Sequence, residues 1–235
     1  KLSVKKQRLD QILFNRNLAE SKTKAQAIIM AGQVFVDGKN INKSGFSINN
    51  NAVIEIKNLG PKWVSRGAIK LITALEKNKI VVKNKICIDL GSSTGGFTDV
   101  LIQSGADRVY AVDVGTNQLH EKLKKNNKVI SLEKTNARYL KKDQFEELID
   151  IMVCDVSFIS LKKVIEPNLN LLKDESVIIS LIKPQFESKK NETKKGVVRD
   201  PLIHQRICNE ISEWFESIYD SKVLSIIESP IKGPK

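Results

Sequence analysis

Four charged side chains stand where apolar runs end. Asp89 follows Ile86-Cys87-Ile88, Asp113 follows Val109-Tyr110-Ala111-Val112, Asp155 closes the run 151–154, and Lys183 closes the run 177–182. In an open parallel sheet the carboxyl ends of the strands face one edge, and ligands bind in the crevice there, so residues far apart in sequence are expected at one site. After the first run comes Asp89-Leu90-Gly91-Ser92-Ser93-Thr94-Gly95-Gly96-Phe97-Thr98, a glycine-rich turn leading into a helix. Glycines let a ligand approach the backbone, and a helix start offers unbonded N–H groups. The D-x-G-x-x-x-G-G spacing departs from the G-x-G-x-x-G of nicotinamide binders. A carboxylate at the strand tip repels a pyrophosphate and suits an ammonium, which S-adenosylmethionine carries. Asp113 is placed to bond the ribose hydroxyls of a nucleoside, and Asn136-Ala137, after the third strand, to reach an adenine edge. The expected cofactor contacts are therefore Asp89, Gly91, Ser92, Ser93, Gly95, Gly96, Phe97, Thr98, Asp113, Asn136, Ala137 and Asp155. Each has a plainer reading: a common strand–helix turn, polar strand ends, a helix cap at Asp155, a loop lysine. It is the coincidence of four at one edge that favours a site.

The elements that must position these residues read clearly. Runs at 86–90, 109–112, 129–132, 151–154 and 177–182 alternate with longer amphipathic segments, which argues for βαβ units and a largely parallel sheet. A helix is expected over 203–215 and a last strand over 223–227. The charged stretch 184–201 is expected to be a mobile flap. Before residue 60 the pattern differs. Leu9, Ile12, Leu13 and Phe14 recur at helical spacing, as do Ala25, Ile28, Ile29 and Met30. Ser21 is placed to cap the second helix and Gly32 to stop it. Val34-Phe35-Val36 then enters an Asp37-Gly38 turn, with another strand over 53–56. Asn58-Leu59-Gly60-Pro61 marks a boundary. The expected organisation is a domain over 1–60, a linker at 61–63 and a second domain over 64–235.

Charge and composition narrow the partner. Of 235 residues 41% are hydrophobic and 28% charged, and no apolar run approaches the ~18 residues of a bilayer span, so a membrane-spanning or disordered chain is excluded. Three scattered cysteines and two histidines give no zinc spacing, and the odd thiols suit a reducing, cytoplasmic setting. Lys and Arg outnumber Asp and Glu by 39 to 27. Residues 1–60 hold ten basic and four acidic side chains, half of the net +12. A polyanion is the natural partner, against the plainer possibility of a lysine-rich solvated surface.

The first sixty residues resemble the small α+β RNA-binding domain first seen in ribosomal protein S-four. The match runs through Arg8-Leu9-Asp10, Leu13, Leu18-Ala19-Glu20-Ser21-Lys22 and Gly32-Gln33-Val34-Phe35-Val36-Asp37-Gly38, with Asn17 and Lys22 where that family often has Gly and Arg. It implies a basic face on RNA made by Arg8, Lys22, Lys24 and Lys39. Farther on, the strings Trp63-Val64-Ser65-Arg66-Gly67-Ala68-Ile69-Lys70, Asp89–Thr98 of the glycine turn, Cys154-Asp155-Val156-Ser157-Phe158-Ile159-Ser160-Leu161 and Ile182-Lys183-Pro184-Gln185-Phe186-Glu187 resemble the TlyA family, whose members were called hemolysins and resemble FtsJ-type methyltransferases.

That resemblance implies a Rossmann-like class I methyltransferase domain, S-adenosylmethionine as cofactor, and 2′-O-methylation of cytidine in ribosomal RNA or ribosomal subunits. It adds Arg66 to the RNA contacts and no metal. The family's Lys-Asp-Lys-Glu set falls on Lys70, Asp155 and Lys183, with no match for the Glu. In this chemistry an in-line ribose hydroxyl must be held and deprotonated. A lysine near its ordinary pKa of ~10.4 is a poor base, so a lysine base needs burial, a neighbouring cation and an acid to orient it. Lys183 is the candidate base, Asp155 its orienter, and Lys70 is left to hold phosphate or ribose; which lysine is neutral stays open. The competing classes are a non-catalytic RNA binder and, far behind, a membrane-lytic protein. Because the family continues with Gly-Asn-x-Glu after a strand like 223–227, at least ten further residues carrying a seventh strand are expected beyond Lys235.

Overall fold

The computed structural model describes residues 6–57, 62–218 and 221–231. It divides into two compact units between Lys62 and Trp63. Residues 58–60 of the expected boundary, and Pro61 of the expected linker, lie outside the described residues.

In the first unit, β1 (Lys6–Arg8) leads directly into α1 (Leu9–Asn15), followed by α2 (Lys22–Met30), β2 (Val34–Val36), β3 (Lys39–Asn40), β4 (Ser47–Asn49) and β5 (Ile54–Ile56). Asn17, in the turn between the helices, takes φ 55°, a left-handed value that asparagine tolerates well and glycine takes freely. The Ser21 hydroxyl accepts the Lys24 N–H at 3.1 Å, so the expected cap is made. Asp37 and Gly38, both at positive φ, close a two-residue hairpin between β2 and β3, and β5 pairs on the other side of β2. Leu9, Ile12 and Leu13 of α1 and Ala25 and Ile29 of α2 bury against Val34, Val36 and Ile48. Two side chains lock this small core from its rim. Asp10, 3% exposed, accepts from Arg8 at 3.0 and 2.7 Å and from Gln26 of α2 at 2.9 Å. The Arg16 guanidinium donates to the carbonyls of Ala52 (2.9 Å) and Asn50.

The second unit runs α3 (Ala68–Lys77), β6 (Ile86–Leu90), α4 (Gly96–Gln103), β7 (Arg108–Val112), α5 (Glu121–Lys124), β8 (Val129–Leu132), β9 (Ile149–Cys154), α6 (Leu161–Ile165), β10 (Leu172–Ser180), α7 (Pro184–Glu187) and α8 (Pro201–Glu216). The five strands form one parallel sheet in the order β10-β9-β6-β7-β8. All five residues of β6 are buried, as expected of a central strand covered on both faces. Ile88, Leu90, Tyr110 and Met152 pack with α6 and α8 on one face. Cys87, Val109, Ile151 and Val153 pack with α3 and α4 on the other. Burial, aided by neighbouring carboxylates, pushes the Cys87 and Cys154 thiols up to about 12.

Three expectations are corrected. Residues 223–227 form no strand: among the described residues no partner lies beside β10, and an extended segment without a ladder partner is not a strand. Asp89 does not follow its strand but lies inside β6, paired in register with Ala111 and Val153. The strand expected over 177–182 begins five residues earlier, at Leu172, and ends at Ser180. Within 184–201, Glu192 pairs with Arg206 at 2.6 Å and the Val198 carbonyl meets a ring nitrogen of His204 at 2.8 Å.

Candidate active site

A cleft of about 320 Å³ opens at the carboxyl edge of the sheet, between β6 and β9. Its floor is Asp89 and the turn Gly91-Ser92-Ser93-Thr94, and Gly96 and Phe97 begin its helix wall. Gly91 takes φ 79°, and a Cβ there would stand 2.6 Å from the Asp155 carbonyl oxygen; the turn can lie against the end of β9 only because this residue has no side chain. Gly96 has the same duty toward α3: an added Cβ would meet Ser65 Cβ at 3.0 Å and the Ala68 nitrogen at 3.2 Å. The segment before α3 is held there by Asp99, which is buried in the first turn of α4 and accepts the Val64 N–H at 3.0 Å. That bond delivers Ser65, Gly67 and Lys70 to the cleft.

Across from the turn, Asp155 joins two lysines. Its Oδ1 lies 2.6 Å from Lys183 Nζ and its Oδ2 3.5 Å from Lys70 Nζ, with all three side chains between 20% and 23% exposed. Lys183 Nζ also donates to Ser157 Oγ at 2.9 Å. Sequence reasoning missed Ser157 as a site residue, because a serine shortly past a strand carries no signal of its own. Asp89 is fully buried. Its Oδ2 accepts the Thr98 hydroxyl at 2.7 Å, while its Oδ1 has no partner. Burial, with help from Asp155 and Asp113 and against the Thr98 hydrogen bond, pushes this carboxyl up to about 7. A buried acceptor left without a donor is costly, and a ligand cation at that spot would relieve it.

Asp113 lies in an adjoining hollow that shares Ser92 and Ser93 with the cleft and is completed by Gln118 and Glu133. Its oxygens accept the Ser93 and Gly115 N–H groups, both at 2.8 Å. Thr98 acts behind the wall through Asp89, and Gly95 precedes α4 at φ 98°. Asn136 and Ala137 line neither hollow: Asn136 caps a short turn by accepting the Arg138 N–H, and the Ala137 carbonyl accepts from Asn168. The structure thus brings Asp89, Asp155, Lys70 and Lys183 together, sets Asp113 beside them, and leaves Asn136 and Ala137 outside.

The FtsJ-like methyltransferase family matches residues 63–235, and the S4 domain family matches residues 7–54. Hemolysin A of Brachyspira hyodysenteriae is 41% identical over 97% of this chain and 95% of its own length. The chain belongs to the FtsJ-like methyltransferases. The Mycobacterium tuberculosis protein named 16S/23S rRNA (cytidine-2′-O)-methyltransferase TlyA is 37% identical, over 98% of this chain and 87% of that protein. A solved structure from Streptococcus thermophilus, bearing the hemolysin name, superposes with a TM-score of 0.71 at 37% identity, covering 98% of this chain and 85% of that one. This FtsJ-like domain has no helix among its described residues long and apolar enough to cross a membrane.

The cations expected to meet RNA are all exposed: Arg8, Lys22, Lys24 and Lys39 in the first unit, and Arg66 beside the cleft in the second. Arg8 is already bonded to Asp10, which also takes Gln26. Lys22 stands four residues before Gln26, on the same helix face. Arg8 and Lys22 therefore share one side of the first unit.

Proposed function

We propose that this protein transfers a methyl group from S-adenosylmethionine to the ribose 2′-hydroxyl of cytidine in ribosomal RNA of the small and large subunits, in the cytoplasm where ribosomes are built. The observation that carries the reading is the Lys70–Asp155–Lys183 set facing an unpartnered buried carboxylate oxygen of Asp89 across one cleft. The residues fit the cofactor. Asp89 would take its ammonium, the Gly91–Thr94 turn its backbone side, and Asp113 its ribose. When bound, S-adenosylmethionine supplies a methyl already activated on a sulfonium.

What remains for the protein is to aim an oxygen and remove its proton. A neutral lysine amine has two N–H donors and one lone pair. Lys183 Nζ stands 2.6 Å from Asp155 Oδ1 and donates to Ser157 Oγ, which holds the amine where its lone pair can take the 2′-hydroxyl proton. Lys70, on the other oxygen of Asp155, supplies positive charge near the departing proton and the RNA phosphate. In this reading the hydroxyl proton ends on Lys183 Nζ.

Calorimetry paired with a methyl-transfer assay on ribosomal subunits tests this division of labour. Lys183→Ala is expected to bind S-adenosylmethionine within about threefold of the parent yet lose at least ~100-fold in rate, the scale of one general base. Asp89→Ala is expected to lose the cofactor. Equal loss of cofactor binding in both variants would remove Lys183 from the catalytic step.

A further inference from the structure

We propose that Glu187 is a positioning residue for methyl transfer, acting through Lys183. The proposal rests on the reading of Lys183 as the base. Lys183 is poorly held by the sheet. The β10–β9 ladder ends at Ser180–Cys154, and a single further backbone bond, Leu181 N–H to the Cys154 carbonyl at 2.9 Å, extends it. β10 is also an edge strand among the described residues. Yet Lys183 Nζ must reach Asp155 and Ser157 on the adjacent loop at the end of a long, flexible stem.

Glu187 provides the second anchor. It ends α7, the four-residue turn that Lys183 itself introduces, with the Phe186 N–H bonded to the Lys183 carbonyl at 2.9 Å. Its Oε2 accepts the Ser160 hydroxyl at 2.6 Å and its Oε1 the Leu161 N–H at 2.7 Å. Those donors belong to the start of α6, on the same loop that carries Asp155 and Ser157. The Phe158 and Phe186 rings meet between the two ends, 5.1 Å apart. Two short segments, 155–161 and 183–187, are therefore tied at both ends by side chains of the second. With the Glu187 tie cut, the backbone of Lys183 is free to turn about the end of β10, and the amine is no longer delivered to one place. A displacement of about 1 Å at a reacting group costs on the order of 100-fold in rate.

The plain alternative is that Glu187 only caps α6 and stabilises the fold. The two differ in what they change. Glu187→Ala is expected to lower kcat by about 30- to 100-fold, with the KM for ribosomal subunits and the Kd for S-adenosylmethionine within about threefold of the parent. Glu187→Gln keeps an acceptor for Leu161 and can donate to Ser160 Oγ, so it is expected to restore kcat to within about fivefold. Ser160→Ala removes one of the two ties and is expected to fall between; it decides the matter if Glu187→Ala does not fold. A kcat near the parent's in Glu187→Ala or Ser160→Ala overturns the proposal. So does a parallel loss of cofactor affinity, or a glutamine variant as slow as the alanine one. Lys183→Ala runs in the same assay. If it keeps the parent rate, the reading of the site itself fails; if it loses the rate while Glu187→Ala does not, only the positioning role fails.

Discussion

Asp89 shows how one buried atom ties folding to binding. Its carboxyl is held up to about 7 first by burial, so in the ligand-free protein it is largely protonated below that pH. A cationic ligand needs it ionised. Affinity for S-adenosylmethionine is therefore expected to weaken toward tenfold per pH unit as pH drops below about 7, with one proton released on binding. Calorimetry between pH 5.5 and 8, in buffers of different ionisation enthalpy, reads both quantities. A flat profile would show that Asp89 does not face the ammonium. On stability the same shift acts in the opposite sense. The folded, ligand-free protein holds this proton more tightly than the unfolded chain, so its stability falls as pH rises from the ordinary carboxylate range toward 7. Asp89→Asn should accordingly raise the melting temperature of the free protein while weakening its cofactor binding.

At the scale of elements, the first unit depends on a buried acid rather than on a large core. The Arg8 hydrogen bonds, foremost, hold the Asp10 carboxyl well below the usual carboxylate range, and the stability this brings is present above an ordinary aspartate pKa and lost as pH falls below it. Because Arg8 is 59% exposed its share is screened, and Asp10→Ala is expected to cost about 1–2 kcal/mol, seen as an earlier melting of the first unit alone. Such elements differ in how visible they are in sequence. β6 and β8 end where their apolar runs end, and the Ser21 cap and the Asp37-Gly38 turn declare themselves through residue types that few other structures favour. The pairing of β1 with β4 does not, because Lys6-Gln7-Arg8 and Ser47-Ile48-Asn49 have one apolar residue between them and take their strand character from each other. The front of β10, Leu172-Lys173-Asp174-Glu175-Ser176, is hidden because it is mostly polar, and its pairing with β9 breaks register between Leu172 and Val177. Residues 223–227 err the other way, having β-forming side chains and no strand partner among the described residues. In the site, carboxylates and lysines at strand ends were legible; Ser157 was not, since its role exists only because Lys183 reaches across to it.

For the whole molecule, charge concentrated in one unit has a measurable signature. Replacing Lys22, Lys24 and Lys39 together by alanine is expected to weaken binding to ribosomal RNA and to lower the slope of log K against log salt by about 2 to 3, close to one for each phosphate no longer neutralised. An unchanged slope would place the RNA elsewhere. The thiols offer a different kind of measurement. All three cysteines lie in the second unit, and two of them, Cys87 and Cys154, are fully enclosed on neighbouring central strands with their thiols held at about 12. An alkylating reagent can reach them only in the moments when the middle of the sheet comes apart, whereas Cys208, partly open on α8, reacts without that event. Two slow thiols and one faster one make a built-in stopwatch for the opening of the methyltransferase sheet, silent about the first unit. Saturating S-adenosylmethionine at a hundred times its Kd should slow the two clock thiols by about 100-fold and leave Cys208 unchanged, a ratio that mass spectrometry of the labelled peptides would read directly.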